Sequence, residues 1–84
     1  MTHALKTWPQ YFNQVVSGDK TFELRKNDRD FKAGDIVLLQ EYNADSEKYT
    51  GNEWTGIITY ILSDAEPLGL KCGYVILGIK EKDY

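Results

Sequence analysis

Cysteine, histidine and proline are nearly missing from this 84-residue chain: it has one cysteine (Cys72), one histidine (His3) and two prolines. A lone thiol excludes an intramolecular disulfide and any cysteine-cluster metal site. His3 has no neighbouring ligand of the metal-binding type, so neither a metal nor a cofactor is expected, and a structural role suits it best. Cys72 has no base beside it to make a nucleophile and reads as an incidental loop thiol. No apolar run approaches the roughly 20 residues that span a bilayer. The N-terminus lacks the continuous apolar segment of a secretory signal, so no membrane contact is expected and cytoplasmic residence is the default. Positive charge is also short. Ten Lys and Arg against 13 Asp and Glu leave a net charge of −3, which argues against coating nucleic acid by bulk electrostatics. There are no heptads, repeats or low-complexity tracts, and a monomer is the expectation.

What is present fits one small domain over residues 1–84. Two Trp, six Tyr and three Phe are a generous aromatic supply with which to close a small core. The charge is uneven along the chain. Residues 20–32 hold five basic and three acidic side chains, a balance of +2, and the remainder is at −5. A local positive field of that size suits one nucleotide or a short single strand better than a duplex.

The basic segment opens with Gly18-Asp19-Lys20-Thr21-Phe22-Glu23-Leu24-Arg25, a turn followed by alternating apolar and polar residues. Read as a strand of period two, Phe22 and Leu24 face a core while Thr21, Glu23 and Arg25 share the opposite face. Lys20 stands at the strand entrance, able to swing toward the same region. Such a face can read a flat polar ligand, with Glu accepting hydrogen bonds and Arg donating them.

The pattern G-x-K-x-x-E-x-R resembles the motif of ASCH domains, a branch of the PUA-like fold associated with RNA binding. His3-Ala4-Leu5-Lys6, Trp8-Pro9, Tyr11-Phe12, residues 26–31, Gly34-Asp35, Tyr49-Thr50-Gly51 and Gly73-Tyr74-Val75 are similar to a small bacterial and phage ASCH-related family of unknown function. The resemblance implies a PUA-like fold and a ligand cleft lined by the motif. Some ASCH proteins are amidohydrolases acting on an acylated cytidine through a Lys-activated Thr and an assisting Glu. Lys20 matches that lysine. The threonine position holds Glu23 here, Thr21 is misplaced, and only Glu66 is left for the assisting carboxylate.

The remaining elements follow from pattern. Residues 3–6 read as a first strand. Thr7 reads as a helix N-cap, with Pro9 in the first turn and Gln10 at the capping-box position. Trp8, Phe12, Val15 and Val16 fall on one helical face, and Gly18 reads as the C-terminal cap. Strands are expected over residues 20–26, 36–42, 53–62 and 73–80, with Val75, Leu77 and Ile79 on one face of the last. Residues 27–33 form a polar loop anchored by Phe31. A further loop over residues 63–72 carries a turn of helix near residues 67–70. The expected fold is α+β, mainly β: a small PUA-like barrel of about five strands with one N-terminal helix packed on it.

The candidate ligand-binding residues are Lys20, Glu23, Arg25, Arg29 and Trp8. Each has a plainer reading. Glu23 and Arg25 form a surface ion pair worth about 0–1 kcal/mol, Arg29 stitches its loop, and Trp8 packs in the core. Tyr42, Tyr49 and Trp54 flank a charged loop and are further stacking candidates. The expected function is binding of single-stranded RNA or a nucleotide-like ligand. Two alternatives remain: a small amidohydrolase on a modified nucleoside, with Lys20 and Glu23 as acid and base, and a protein-interaction domain using the acidic outer surface.

Overall fold

A computed structural model describes residues 1–82. Strand β1 (Thr2–Thr7) leads into helix α1 (Pro9–Val16), then β2 (Phe22–Lys26), β3 (Ile36–Asn43), β4 (Lys48–Leu62), a one-turn 3-10 helix (Glu66–Leu68) and β5 (Tyr74–Glu81). All five strands join one sheet in the order β1-β3-β4-β5-β2. The β1–β3 pair is parallel and the other three pairs are antiparallel. Among the described residues no helix is long and apolar enough to cross a membrane.

The sheet curls into a half-barrel rather than closing. Strands β1 and β2 form its two rims and share no ladder. The curl depends on β4, whose 15 residues pair with β3 at one end and β5 at the other. Register shifts interrupt both pairings, and bulges of this kind bend a strand and raise its twist. In the β3–β4 pair, Gln40 faces Glu53 while Tyr42 faces Tyr49. Thr50, Gly51 and Asn52 are therefore looped out opposite Glu41. Gly51 has φ 94°, a left-handed backbone that glycine adopts without Cβ strain.

The concave face is apolar through its middle and polar at its ends. Leu5, Val37, Leu39, Ile58, Val75, Leu77 and Ile79 are buried there, covered by Phe12 and Val15 of α1 and by Phe31. Burying each such side chain contributes about 1.5–3 kcal/mol. Val75, Leu77 and Ile79 lie inward, and Phe31 anchors its loop as the pattern predicted. At one end, His3 Nε2 lies 2.8 Å from Asp35 Oδ2, and the His3 ring meets Phe31 edge-on. That hydrogen bond holds the Asp35 carboxyl below its ordinary range against the opposing cost of desolvation, and further hydrogen bonds from the Lys32 amide and the N-terminal amine add to the lowering. At the other end Glu41 is buried, and its Oε1 accepts from Thr50 Oγ1 at 2.7 Å and Asn52 Nδ2 at 3.0 Å.

Three expectations are corrected here. Thr7 is the last residue of β1, and Trp8 occupies the N-cap without a side-chain cap, so Pro9 begins the helix. Only Phe12 and Val15 of the anticipated helix stripe are buried; Trp8 and Val16 are exposed. Most important, β2 has the opposite phase. Glu23 is 3% exposed, whereas Phe22 and Leu24 are 47% and 55% exposed. The alternation is real, but the carboxylate points inward because two cations meet it there.

Candidate functional site

The entry to β2 explains how these cations reach Glu23. Gly18, at φ 87°, lets the chain leave α1 in a left-handed turn, with its N–H donating to the Val15 carbonyl at 3.1 Å. The Lys20 amide then returns to the Gln14 carbonyl at 3.0 Å. This turn sets the lysine over the first residues of the strand. Its Nζ donates to the Phe22 carbonyl and to Glu23 Oε1, both at 2.7 Å. Arg25, two residues further on the same face, donates from Nε to Glu23 Oε2 at 3.0 Å. One buried carboxylate therefore fixes two cations, one on each oxygen.

Arg25 also crosses the open seam of the half-barrel. Its Nη2 donates to the Lys6 carbonyl at 2.7 Å and reaches Thr7 Oγ1 at 3.4 Å. Arg29 acts in parallel on the same rim, donating from Nη1 to the Ala4 carbonyl at 2.7 Å. Alternate residues of a strand turn their backbone groups to opposite sides. Met1 serves β3 through its carbonyl, so the even-numbered carbonyls of β1 face the seam. The two arginines take two of them in succession.

Between α1, the end of β1 and β2 lies a cavity of about 790 Å³. Its polar floor is Thr7, Lys20, Glu23 and Arg25, and Trp8, Tyr11, Phe22 and Leu24 supply apolar walls. Trp8 and Tyr11 stack at 6.0 Å between ring centroids, and Lys20 Nζ lies 4.9 Å from the Phe22 ring centre. Charged residues on the lining are Lys6, Lys20 and Arg25 against Asp19 and Glu23, leaving one net positive charge. Lysine has three donors and arginine five. After the contacts above, Lys20 keeps one N–H and Arg25 keeps both on Nη1 with no acceptor among the described residues. The site offers fixed cationic donors beside exposed aromatic faces, suited to a ligand with an anionic or carbonyl group and a flat ring.

Of the five residues singled out in the sequence, Lys20, Glu23, Arg25 and Trp8 meet in this cavity. Arg29 does not line it; its guanidinium is on the β1 rim and 4.0 Å from Asp28. Sequence reading missed Thr7 and Tyr11 as lining residues. Tyr11 follows Trp8 by three positions, the spacing of neighbours on a helix surface, and that signal was available. The sequence reads Thr7 as a helix cap, and nothing local marks its contact with Arg25.

A mainly β half-barrel with one helix, carrying a cation-floored cleft at its seam, is the class of protein these features define. The chain belongs to the DUF3850 family, a domain of unknown function whose model matches residues 2–79. It is also similar to an uncharacterised 12.9 kDa protein in the GpA 3' region of Escherichia phage P2, with 40% identity over 40 residues. That alignment takes in 48% of this chain and 37% of the phage protein, so the chain spans little more than a third of the length of this relative.

Proposed function

We propose that the cleft binds a nucleotide or a short stretch of single-stranded RNA, in a domain of ASCH type within the PUA-like group. The observation that carries this reading is the pairing of Lys20 and Arg25, fixed at 2.7 and 3.0 Å on one buried carboxylate, with the Trp8, Tyr11 and Phe22 rings around them. Fixed donors suit a phosphate or base carbonyl, and exposed rings suit a base face. The ASCH assignment is supported by the helix between the first strand and the motif strand, and by the motif lying at the cleft. A hydrolytic role draws less support. Glu23 is engaged by a cation on each oxygen and is poorly placed to activate water.

The test is a thermal-shift screen of the protein against nucleosides, nucleotides and short RNAs at low salt. A ligand confined to the folded state adds about 2.7 kcal/mol of stability at a hundredfold excess over its dissociation constant. The expected result is a shift with a nucleotide that shrinks in Trp8→Ala, an exposed side chain whose removal leaves the core intact. Absence of a shift with every nucleotide and RNA refutes the reading, and recovery of a protein partner instead favours the interaction-domain alternative.

A further inference from the structure

We infer that the cleft continues onto the outer face of the sheet as a second subsite, formed by Lys6, Tyr42 and Tyr49, which takes the next nucleotide of a strand. This rests on the nucleotide reading above and deepens it from a single nucleotide to an oligonucleotide. Lys6 is the physical link. On β1 the odd residues His3, Leu5 and Thr7 are buried, which turns Lys6 outward. It lines the cleft, yet its Nζ lies 4.5 Å from the Tyr42 ring centre and 5.9 Å from that of Tyr49. The same side chain therefore borders both places.

The two tyrosines are brought together by the β3–β4 hairpin. Tyr42 and Tyr49 are register partners, and their rings meet edge-to-face at 5.0 Å. The bulge opposite Glu41 begins next to Tyr49 and fixes this end of β4 through Thr50 Oγ1. Tyr49 remains 52% exposed, leaving a ring face open for stacking. Among the described residues Lys6 makes no ion pair, whereas Lys20 and Arg25, the other two cations lining the cleft, are both held on Glu23. An ammonium free of carboxylates between two aromatic sites is positioned for the phosphodiester joining two stacked bases. Trp8 and Tyr11 then receive one base, and Tyr49 its neighbour.

The experiment compares the four nucleoside 5'-monophosphates with the four homotrinucleotides of RNA, titrated at low salt into wild type, Tyr49→Ala and Tyr49→Phe. The expected result is tighter binding of at least one trinucleotide than of its mononucleotide. That advantage falls about tenfold in Tyr49→Ala, the loss of one base–aromatic stack, and is restored by Tyr49→Phe. Melting curves of the free variants check that each remains folded. Equal affinities for both ligand lengths overturn the second subsite while leaving the cleft reading in place. A trinucleotide advantage untouched by Tyr49→Ala overturns its location. Failure of every ligand to bind overturns both readings together.

Discussion

Replacing Glu23 by Gln should destabilise the domain well beyond what a surface residue can. Glu23 Oε1 receives Lys20 at 2.7 Å and Oε2 receives Arg25 at 3.0 Å. Gln preserves the shape but removes the charge, and it turns one oxygen into an amide donor facing a cation. Removing one partner of a fully buried ion pair costs about 3–5 kcal/mol. The side chains of Lys20 and Arg25 retain 17% and 25% exposure, so water recovers part of their solvation. Arg25 also keeps its bond to the Lys6 carbonyl. These considerations place the loss at about 2 kcal/mol. In a domain of this size that lowers the melting temperature by about 8–16 °C. Calorimetry of the two proteins at pH 7 measures it directly, and Lys20→Met made in each background tests the coupling. The lysine substitution should cost less when Glu23 is already Gln. A Glu23→Gln protein that melts with wild type, or fully additive substitutions, would refute the claim that this carboxylate organises the seam.

Two further outcomes follow from other parts of the fold. A methyl group at Gly56 would run into the Trp54 ring and lie 2.8 Å from the Lys80 carbonyl. Gly56→Ala should therefore lose about 1–3 kcal/mol, read as a lower urea midpoint; an unchanged midpoint would show that the ring moves aside freely. Asp35 carries the pH dependence at the opposite end. Its carboxyl is held below the ordinary value, chiefly by His3. A depressed folded value means the contribution is present above the unfolded value of about 3.9 and is lost as pH falls through the folded one. Asp35→Asn should thus be less stable than wild type at pH 6, and the gap should narrow on acidification toward pH 2. A gap that does not depend on pH would count against the His3–Asp35 contact.

The elements with one clear signal were legible in the sequence. The five strands, the early helix and Gly18 as its exit followed from hydrophobic period and turn chemistry, because these depend on neighbours within a few residues. Strand β4 proved five residues longer at its start than its apolar run indicated, since Lys48 and Tyr49 pair with Asn43 and Tyr42 beyond the bulge at residues 50–52. The phase of β2 was not legible. Alternation gives a period, and the usual assumption that apolar residues point inward then chooses the phase. Here the choice reverses, because Lys20 arrives from the turn after α1 and Arg25 finds β1 carbonyls across the seam. The second contact has no local sequence mark, and the first, though local, does not by itself decide which face is buried. For the same reason Lys20, Glu23, Arg25 and Trp8 could be grouped from the motif and the helix, while Thr7 could not. Its partner Arg25 is 18 positions away.

The unclosed seam ties stability to the proposed binding. An open sheet leaves backbone acceptors on its rim that invite pairing with other chains. This fold answers on β1 with guanidinium groups, Arg29 on Ala4 and Arg25 on Lys6. A main-chain strand in the gap would have filled the space between the rims. Side chains bridge it instead, and the 790 Å³ cavity lies beside the bridge with Arg25 on its floor. Arg25 can serve both tasks because its donors point different ways. Nε and Nη2 are committed to Glu23, Lys6 and Thr7, and Nη1 keeps its two. Lysine in its place would have a single ammonium to divide among the same acceptors. A guanidinium held on Glu23 thus bridges the seam and still leaves donors on the cavity side, which gives a physical reason for the E-x-R spacing on this strand.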